Sequence, residues 1–238
     1  MSRTLAIAGR EFRAYFLSPG GYIIIALFLF ITGFFFWAGG FQQGQIASLR
    51  SVFNIGTWLL AFIAPAVTMR LLSEEYRAGT IEMLMTSPVN EWHIIVGKFA
   101  GAAAFLVLML LPTVAYVIAI EMHGRPDYGE LLCGYLGLLL AGAAYLSSGI
   151  LASTFTASQA VAFLLALFFW LALGFSAKLL PDQLDERWAR IVFALDPDLR
   201  LRDFTIGLID SSNIVYFLSI TVVFLVAAVK SLQARRCW

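Results

Sequence analysis

Residues with nucleophilic or acid–base chemistry are few in this sequence. Ser147 and Ser148 stand beside Gly149 in the run LSSGILAS, a pattern that could present a serine nucleophile inside a membrane. Such a nucleophile needs a general base within hydrogen-bond reach. The chain's two histidines, His93 and His123, fall in polar connectors and not in apolar segments. The pattern therefore favours helix packing, with an intramembrane enzyme such as a protease or acyltransferase as the alternative.

Nucleotide-binding and metal-binding patterns are absent from the sequence. Neither G-x-x-x-x-G-K-[ST], which cradles phosphates, nor H-E-x-x-H, which holds zinc, occurs in it. Cys133 and Cys237 lie in different segments and predict neither a disulfide framework nor a metal site. We therefore expect no catalytic residue, no metal ion and no cofactor in this chain.

The composition indicates a membrane protein. Of the 238 residues, 61% are hydrophobic and 13% are charged, whereas a soluble domain is about half apolar and a quarter charged. A net charge of +1 gives no sign of a nucleic-acid partner. Six almost uncharged segments approach the roughly 20 apolar residues that a span requires. These segments are residues 22–41, 52–69, 99–120, 131–153, 157–179 and 214–229.

The six segments predict an all-α integral membrane protein with a single domain over residues 1–238. Pro65 and Pro112 lie inside spans two and three and should kink them. Small residues recur at helical spacing in span four and predict a face that another helix approaches closely. They are Gly134, Gly137, Ala141, Ser148 and Ala152. Gly97 and Gly101, four residues apart, are interpreted in the same way.

Basic residues favour cytoplasmic termini. With six spans both ends of the chain share one side, which carries nine flanking Lys and Arg residues against seven on the other side. The polar loop 70–98 then lies in the cytoplasm as well. The first apolar run is long enough to span, and we interpret it as retained and not as a cleaved signal peptide.

Two other segments outside the spans have their own pattern. Residues 1–20 predict an amphipathic interfacial helix, with a basic topogenic tail as the alternative. Its apolar face holds Leu5, Ala8, Phe12, Tyr15 and Phe16, and its basic face holds Arg3, Arg10 and Arg13. The outer segment 181–213 alternates acids and bases with apolar residues. We expect it to be partly helical, either resting on the membrane or capping the spans.

The loop SEEYRAGTIEMLMTSPVNEWHIIVGKF is expected to contain a short transverse helix. A helix continuing from span two should end at Gly79, and Thr80 can cap a new helix that Pro88 stops. Asn90 is the expected cap of the helix leading into span three. The apolar ridge of the transverse helix consists of Ile81, Leu84 and Met85, opposite Glu82. Periodicity alone leaves open whether the ridge fills a groove on a partner or rests on lipid.

The motif EEYRAGTIEMLMTSPVNEWHIIVGKF resembles the first cytoplasmic loop of ABC-2-type permeases. The shared features are an acidic-acidic-x-Arg-x-Gly-Thr start, a Thr-x-Pro and a later Gly-Lys. The runs SPGGYIIIALFLFITGFFF and GYLGLLLAGAAYLSSGILAS are most similar to the gliding-motility-associated permease group. The resemblance covers nearly the whole chain, and only the segment 181–213 matches loosely.

The resemblance implies a non-catalytic subunit of an ATP-driven exporter or mechanotransmission complex in the bacterial inner membrane. Two such subunits would pair and bind two ATPase subunits, which carry ATP and Mg²⁺. A membrane subunit with a large outer domain could accompany them. The N-terminal helix would brace the assembly at the membrane surface. The residues implied for ATPase coupling are Glu74, Glu75, Arg77, Gly79, Thr80, Ile81, Glu82, Leu84, Met85 and Pro88.

An ATP-independent scaffold for other membrane proteins is a further alternative. The sequence does not identify the transported substrate, because exporters of different substrates share this architecture. The aromatic and aliphatic residues of the spans favour a lipidic or amphipathic substrate. They equally permit a complex that transports no substrate and uses ATP to drive an outer partner.

Overall fold

The computed structural model describes residues 3–40, 48–80, 90–123, 126–179 and 193–236. Its α-helices, numbered here in chain order, are α1 Arg3–Leu17, α2 Pro19–Gly40, α3 Arg50–Thr68, α4 Arg70–Arg77, α5 Glu91–Leu110, α6 Val114–His123, α7 Tyr128–Phe155, α8 Gln159–Leu179, α9 Pro197–Thr205 and α10 Ser211–Arg236. A short 3₁₀ turn, Leu111–Thr113, joins α5 to α6.

Six helical segments of the described residues are long and apolar enough to cross a membrane. They are Pro19–Ala38, Arg50–Arg77, Glu91–Met122, Tyr128–Phe155, Gln159–Ser176 and Ser211–Ala234. The predicted all-α membrane fold with six spans is therefore confirmed. Spans two and three extend beyond the predicted apolar segments, because the span-two helix continues to Arg77 and α5 begins at Glu91, directly after the predicted cap Asn90.

The helix α7 is the centre of the bundle and packs against α3, α8, α9 and α10. Its small residues meet several different elements. A Cβ atom on Gly134 would lie 2.2 Å from the Phe53 ring of α3, and one on Gly137 would lie 2.8 Å from Phe204 of α9. Ser148 accepts a hydrogen bond from the Trp170 indole of α8 at 2.7 Å. The small residues predicted in span four thus allow several neighbouring helices to pack closely around this one central helix.

Each proline inside a span coincides with an interruption of the helix. Pro65 has no N–H to donate to the preceding turn, and the α3 geometry ends three residues later at Thr68. The Thr68 hydroxyl donates to the Ala64 carbonyl at 2.7 Å, which satisfies a backbone group near the break. Pro112 lies in the 3₁₀ turn between α5 and α6. Met69, between α3 and α4, keeps α-helical dihedral angles (φ −53°, ψ −32°) and donates its N–H to the Pro65 carbonyl, so the chain passes from α3 into α4 as one helical path.

The helix α9 caps the end of the bundle at which α3 and α7 begin. The Asp196 carboxylate caps its first turn by accepting from the Asp198 N–H at 2.9 Å. Leu201 and Phe204 are buried against the spans, and Gly207 ends the helix with a φ of +84°. Of the two arrangements expected for 181–213, the described part, 193–213, has the capping one.

The opposite end of the bundle holds α1, the end of α4 and the start of α5. The helix α1 packs along α5 at very short range. A Cβ atom on Gly97 would lie 2.9 Å from Ile7, and one on Gly101 would lie 2.9 Å from the Ala8 carbonyl oxygen. The two glycines were predicted to admit a neighbouring helix, and that neighbour is α1.

Candidate functional site

The two flanks of the polar loop are well defined. The helix α4 continues beyond span two and ends at Arg77, and Gly79 follows with a φ of +69°, a conformation that favours glycine. On the other side, the Asn90 side chain caps α5 by accepting from the Trp92 N–H at 3.2 Å. The ends predicted at Gly79 and Asn90 are therefore confirmed.

The transverse helix itself lies outside the described residues. The predicted coupling residues in that part of the loop are Ile81, Glu82, Leu84, Met85 and Pro88. Their assignment stays a prediction.

At the base of the loop, Lys98 is buried, with 1% of its side chain exposed. Its Nζ atom donates to Glu11 Oε1 of α1 at 3.0 Å, and to the Leu71 carbonyl oxygen and Glu75 Oε1 of α4, both at 2.7 Å. A lysine ammonium has three donors, and all three are used here. We call these three acceptors, Lys98 and the neighbouring Arg10 the Lys98 cluster.

The helical register brings these groups together. Leu71 and Glu75 are four residues apart, so they lie on the same face of α4. Gly101 has no side chain, which lets the α1 backbone approach α5 closely. A Cβ atom on Gly101 would lie 2.9 Å from the Cβ atom of Glu11. The cluster therefore depends on α1, α4 and α5 at once.

The formal charges of the Lys98 cluster cancel. Arg10 donates to Glu11 Oε1 at 2.9 Å and lies 3.7 Å from Glu75 Oε1, so two cations face two carboxylates. Burying a lone ammonium would cost several kcal/mol, and paired, hydrogen-bonded carboxylates offset much of that cost. Among the described residues, the buried Oε2 atom of Glu75 has no hydrogen-bond partner. Glu75 therefore makes its hydrogen bond inside the cluster through one oxygen only.

The electrostatics of Glu11 follow from this arrangement. Burial alone would raise its carboxyl pKa, but the Lys98 charge and the hydrogen bonds from Arg10 and Lys98 act in the opposite direction and prevail. The pKa of Glu11 therefore lies below its ordinary value of 4.5. Glu11 is ionised at neutral pH, as the pairing requires.

A second contact set holds the other end of α1 to the bundle. The buried Tyr15 hydroxyl donates to the Val67 carbonyl oxygen of α3 at 3.1 Å. Its ring stacks on Phe105 of α5 with centroids 4.6 Å apart, and the Arg70 guanidinium lies 4.5 Å from the ring centroid. Burial raises the pKa of Tyr15 well above its ordinary value, so this phenol stays neutral.

The connection from α1 to α2 is equally close. A Cβ atom on Gly21 would lie 2.2 Å from the Tyr15 carbonyl oxygen, so only glycine fits at this elbow. Ser18 at the same corner accepts from Arg70 at 3.4 Å. The first described helix is therefore anchored along its length and at its turn into span one.

The predicted interfacial residues separate into two groups. Phe12 and Phe16 pack against the core of the bundle, while Arg3, Arg10 and Arg13 are exposed. The amphipathic pattern is thus realised with the aromatic side on protein and the basic side outward.

The predicted coupling residues of α4 also differ from one another. Glu74 and Arg77 are exposed and available to a partner. Glu75 was expected to contact the ATPase, whereas the structure pairs it with Lys98. Thr80 was expected to cap the next helix, and its hydroxyl donates back to the Glu75 carbonyl at 3.4 Å.

The sequence analysis missed Glu11, and it used Lys98 only as a topogenic charge and as part of the Gly-Lys feature shared with the ABC-2 loop. Two signals were available. A single acid stands among the apolar and basic residues of the N-terminal segment, and Lys98 lies between Gly97 and Gly101 on the face where a helix can approach. Pairing them required knowing that α1 folds back onto α5.

A cleft of about 930 Å³ opens beside this site between the α3–α4 break and the start of α8. Ala66, Met69 and Arg77 line one side, and Ser158 and Phe163 are on the other. The contact between α4 and α8 is therefore loose, whereas the contact between α1 and α5 is close.

The serines that raised an enzymatic alternative have structural roles. Ser147 donates to the Ala144 carbonyl at 2.8 Å, and Ser148 donates to the Tyr145 carbonyl at 2.8 Å. Within the described part of the chain neither hydroxyl is hydrogen-bonded to a histidine, and no group of three or more His, Cys, Asp or Glu residues could hold a metal ion. The geometry favours packing, as the sequence pattern did.

Comparison with known proteins identifies the class. The profile described as ABC-2 family transporter protein matches residues 5–197, so the chain belongs to the ABC-2 family. It is 29% identical over 177 residues to the probable ABC transporter permease protein NosY of Pseudomonas aeruginosa, covering 66% of this chain and 62% of that protein. It is 26% identical over 140 residues to the probable multidrug ABC transporter permease YbhR of Escherichia coli K12, covering 58% of this chain and 38% of that protein.

The chain is thus a membrane protein of the ABC-2 family of transporter proteins, and the relatives named here carry permease names. The matches span less than two thirds of either relative's length. The finer resemblance to the gliding-motility-associated group stays a prediction.

Proposed function

We propose that this permease is the non-catalytic membrane subunit of an ATP-driven exporter or mechanotransmission complex, and that it receives mechanical work through the loop between α4 and α5. ATP and Mg²⁺ would be bound by a separate ATPase subunit. The complex would contain two permease subunits, placed in the bacterial inner membrane with the loop and both termini in the cytoplasm.

The observation that supports this proposal is the anchoring of both loop flanks. The helix α4 leaves the bundle and α5 returns to it, and Lys98 ties the two helices to each other through Leu71 and Glu75. A partner bound to the intervening residues would therefore act on two spans together.

The chemistry of the loop fits a protein partner. Its predicted ridge of Ile81, Leu84 and Met85 supplies apolar anchors at helical spacing. Glu74 and Arg77 are exposed at the end of α4, where they can form polar contacts at the rim of such an interface.

The test is co-purification and ATPase coupling. The permease is co-expressed with a candidate ABC ATPase subunit, purified in mild detergent, and the ATPase subunit is assayed for ATP hydrolysis with and without the permease. We expect Leu84→Asp with Met85→Asp to abolish co-purification and stimulation, because carboxylates cannot be buried in an apolar groove without a large penalty. Leu208→Asp is the matched control, since Leu208 is exposed at the opposite end of the bundle.

Two results would contradict the proposal. If the double variant bound and stimulated the ATPase like the wild type, the loop would not be the docking element. If no ATPase subunit associated with the wild type, the alternative of an ATP-independent scaffold would be favoured.

A further inference from the structure

We propose that the cavity between α3 and α9 binds the headgroup of one phosphatidylethanolamine molecule, with the lipid phosphate between Arg50 and Arg202 and an acyl chain along Trp58 and Phe62. The cavity lies at the end of the bundle opposite the polar loop, so the inference does not depend on the proposed function.

The cavity has the size of a lipid headgroup. Its volume is about 300 Å³, which is at the lower end of the roughly 300–1,000 Å³ that small-molecule sites usually provide. Arg50, Asn54 and Trp58 line it from one face of α3, and Asp198 and Arg202 line it from one face of α9. A phosphoethanolamine group fits into this volume, and the acyl chains of the lipid then lie outside it.

Three of the lining side chains have unused hydrogen-bond donors. The Arg50 guanidinium donates from Nε and Nη2 to the two carboxylate oxygens of Glu130, at 3.2 and 3.3 Å. Among the described residues, its Nη1 atom has no acceptor, and neither the Arg202 guanidinium nor the Asn54 amide makes a hydrogen bond. A guanidinium is permanently charged and its planar donors match the oxygens of a phosphate. Two guanidinium groups and one amide on the same cavity therefore suit a phosphate.

The charges around the cavity favour a zwitterion over a simple anion. Arg50 is balanced by Glu130, and Asp198 brings a carboxylate to the same cavity one helical turn before Arg202. These four groups carry no net charge, so a lone anion gains little from the site as a whole. An ethanolamine headgroup supplies an ammonium beside its phosphate, and a carboxylate such as Asp198 can accept several hydrogen bonds at once. The headgroup thus matches both signs of charge on the lining.

The position of the cavity favours a lipid over a soluble phosphate ester. Arg50 begins the span Arg50–Arg77, and Trp residues near span ends lie at the headgroup level of a membrane. Trp58 and Phe62 continue along the same face of α3, four residues apart, and are 39% and 43% exposed. They provide an apolar surface for an acyl chain directly on the membrane side of the cavity.

Native mass spectrometry tests the binding. Full-length permease is purified in detergent, stripped of lipid and titrated with three probes: phosphatidylethanolamine, phosphatidylglycerol with the same acyl chains, and glycerophosphoethanolamine, which has the headgroup without the chains. We expect one phosphatidylethanolamine molecule to bind about tenfold more tightly than either other probe, as the loss of one hydrogen bond to a charged group would give. The inference is wrong if no probe binds, if the two lipids bind equally, or if the chain-free compound binds as tightly as the lipid, since the site would then take a soluble phosphate ester.

Arg202→Gln tests the phosphate contact. Arg202 is exposed, so the variant should keep the fold, and we expect its affinity for phosphatidylethanolamine to fall about tenfold. Arg13→Gln is the matched control, because Arg13 is an exposed arginine at the opposite end of the bundle. Equal losses in the two variants would show attraction to any surface cation, and an unchanged affinity in Arg202→Gln would show that the phosphate is not held there. Either result would contradict the inference.

Asp198→Asn tests the ammonium contact. We expect it to weaken binding of phosphatidylethanolamine and to leave the two lipids with about equal affinity. Glu121→Gln is the matched control, because the Glu121 carboxylate lies at the same end of the bundle, where it accepts a hydrogen bond from Tyr128 and does not line the cavity. A full preference for phosphatidylethanolamine in folded Asp198→Asn would contradict the assignment of the headgroup. If this variant does not fold, the comparison of the two lipids on the wild type decides the assignment.

Discussion

At the scale of single residues, Lys98 shows how a charge is retained inside an apolar bundle. The ammonium has three donors and three acceptors, and its two carboxylate partners together with Arg10 leave the Lys98 cluster without net charge. Such an arrangement contributes little to stability compared with an apolar substitute, but removal of one partner is strongly destabilising. The site therefore fixes the arrangement of three helices more than it strengthens the fold.

The first prediction concerns pH. The folded-state pKa of Glu11 lies below 4.5, so the folded state favours the ionised carboxylate more than the unfolded state does. Glu11 then contributes stability above its unfolded pKa, and this contribution is lost as the pH falls through the lowered folded pKa. We expect Glu11→Gln to melt at a lower temperature than the wild type at about pH 7, with a difference that shrinks between about pH 4.5 and pH 3.

The measurement is thermal unfolding in detergent at a series of pH values. Glu74→Gln serves as the control, because Glu74 is exposed and lies outside the Lys98 cluster. A difference between Glu11→Gln and the wild type that stayed constant down to pH 3, or grew, would contradict the assigned direction of the pKa shift.

At the scale of elements, the contact between α1 and α5 depends on the absence of two side chains. A Cβ atom on Gly101 would lie 2.9 Å from both the Ala8 carbonyl oxygen and the Glu11 Cβ atom, where backbone must move. Overpacking of this kind typically costs about 1–3 kcal/mol. The same displacement would move Glu11 away from Lys98.

We therefore predict that Gly101→Ala lowers the free energy of unfolding by about 1–3 kcal/mol. Gly9→Ala on α1 is the matched control, because a Cβ atom on Gly9 would have no neighbour within 4 Å. Since alanine is more favourable than glycine in a helix, this variant should raise the free energy of unfolding by up to about 1 kcal/mol. Equal melting temperatures for the two variants would show that α1 is not held against α5.

These elements also show what the sequence can and cannot predict. The number of spans, the interruptions at Pro65 and Pro112, the glycine end of α4 and the Asn90 cap all follow from local chemistry. The pairing of Glu11 with Lys98 joins residues 87 positions apart. No local rule states which helix fills the space that Gly97 and Gly101 leave, so this contact could not be predicted.

At the scale of the whole molecule, the six spans found among the described residues make the orientation testable, because an even number places both termini on one side. We predict that a green fluorescent protein fused after α10 is fluorescent, because it folds in the cytoplasm. Alkaline phosphatase fused after α9, at residue 207, should be active, because the span count places that end outside. Activity of alkaline phosphatase at the C-terminus would reverse the proposed orientation and remove the loop from the cytoplasm.

The molecule also differs from the sequence-based picture in how its two ends are organised. One end is closed by α9, whose Phe204 side chain fills the space at Gly137. The other end has the compact Lys98 cluster on one side and an open cleft on the other. Composition and periodicity describe single helices, and this asymmetry arises only from the way in which they pack.

The partnership of α1 with α5 has a consequence for biosynthesis. Ile7 leaves the ribosome 90 residues before the Gly97 against which it packs. Until α5 is inserted, the face of α1 that carries Ile7 and Glu11 lacks the protein surface on which it packs, although Tyr15 can already contact α3. The helix α1 is thus synthesised before most of the described helices and is among the later ones to reach its final position, so it should be accessible to a protease until α5 has emerged.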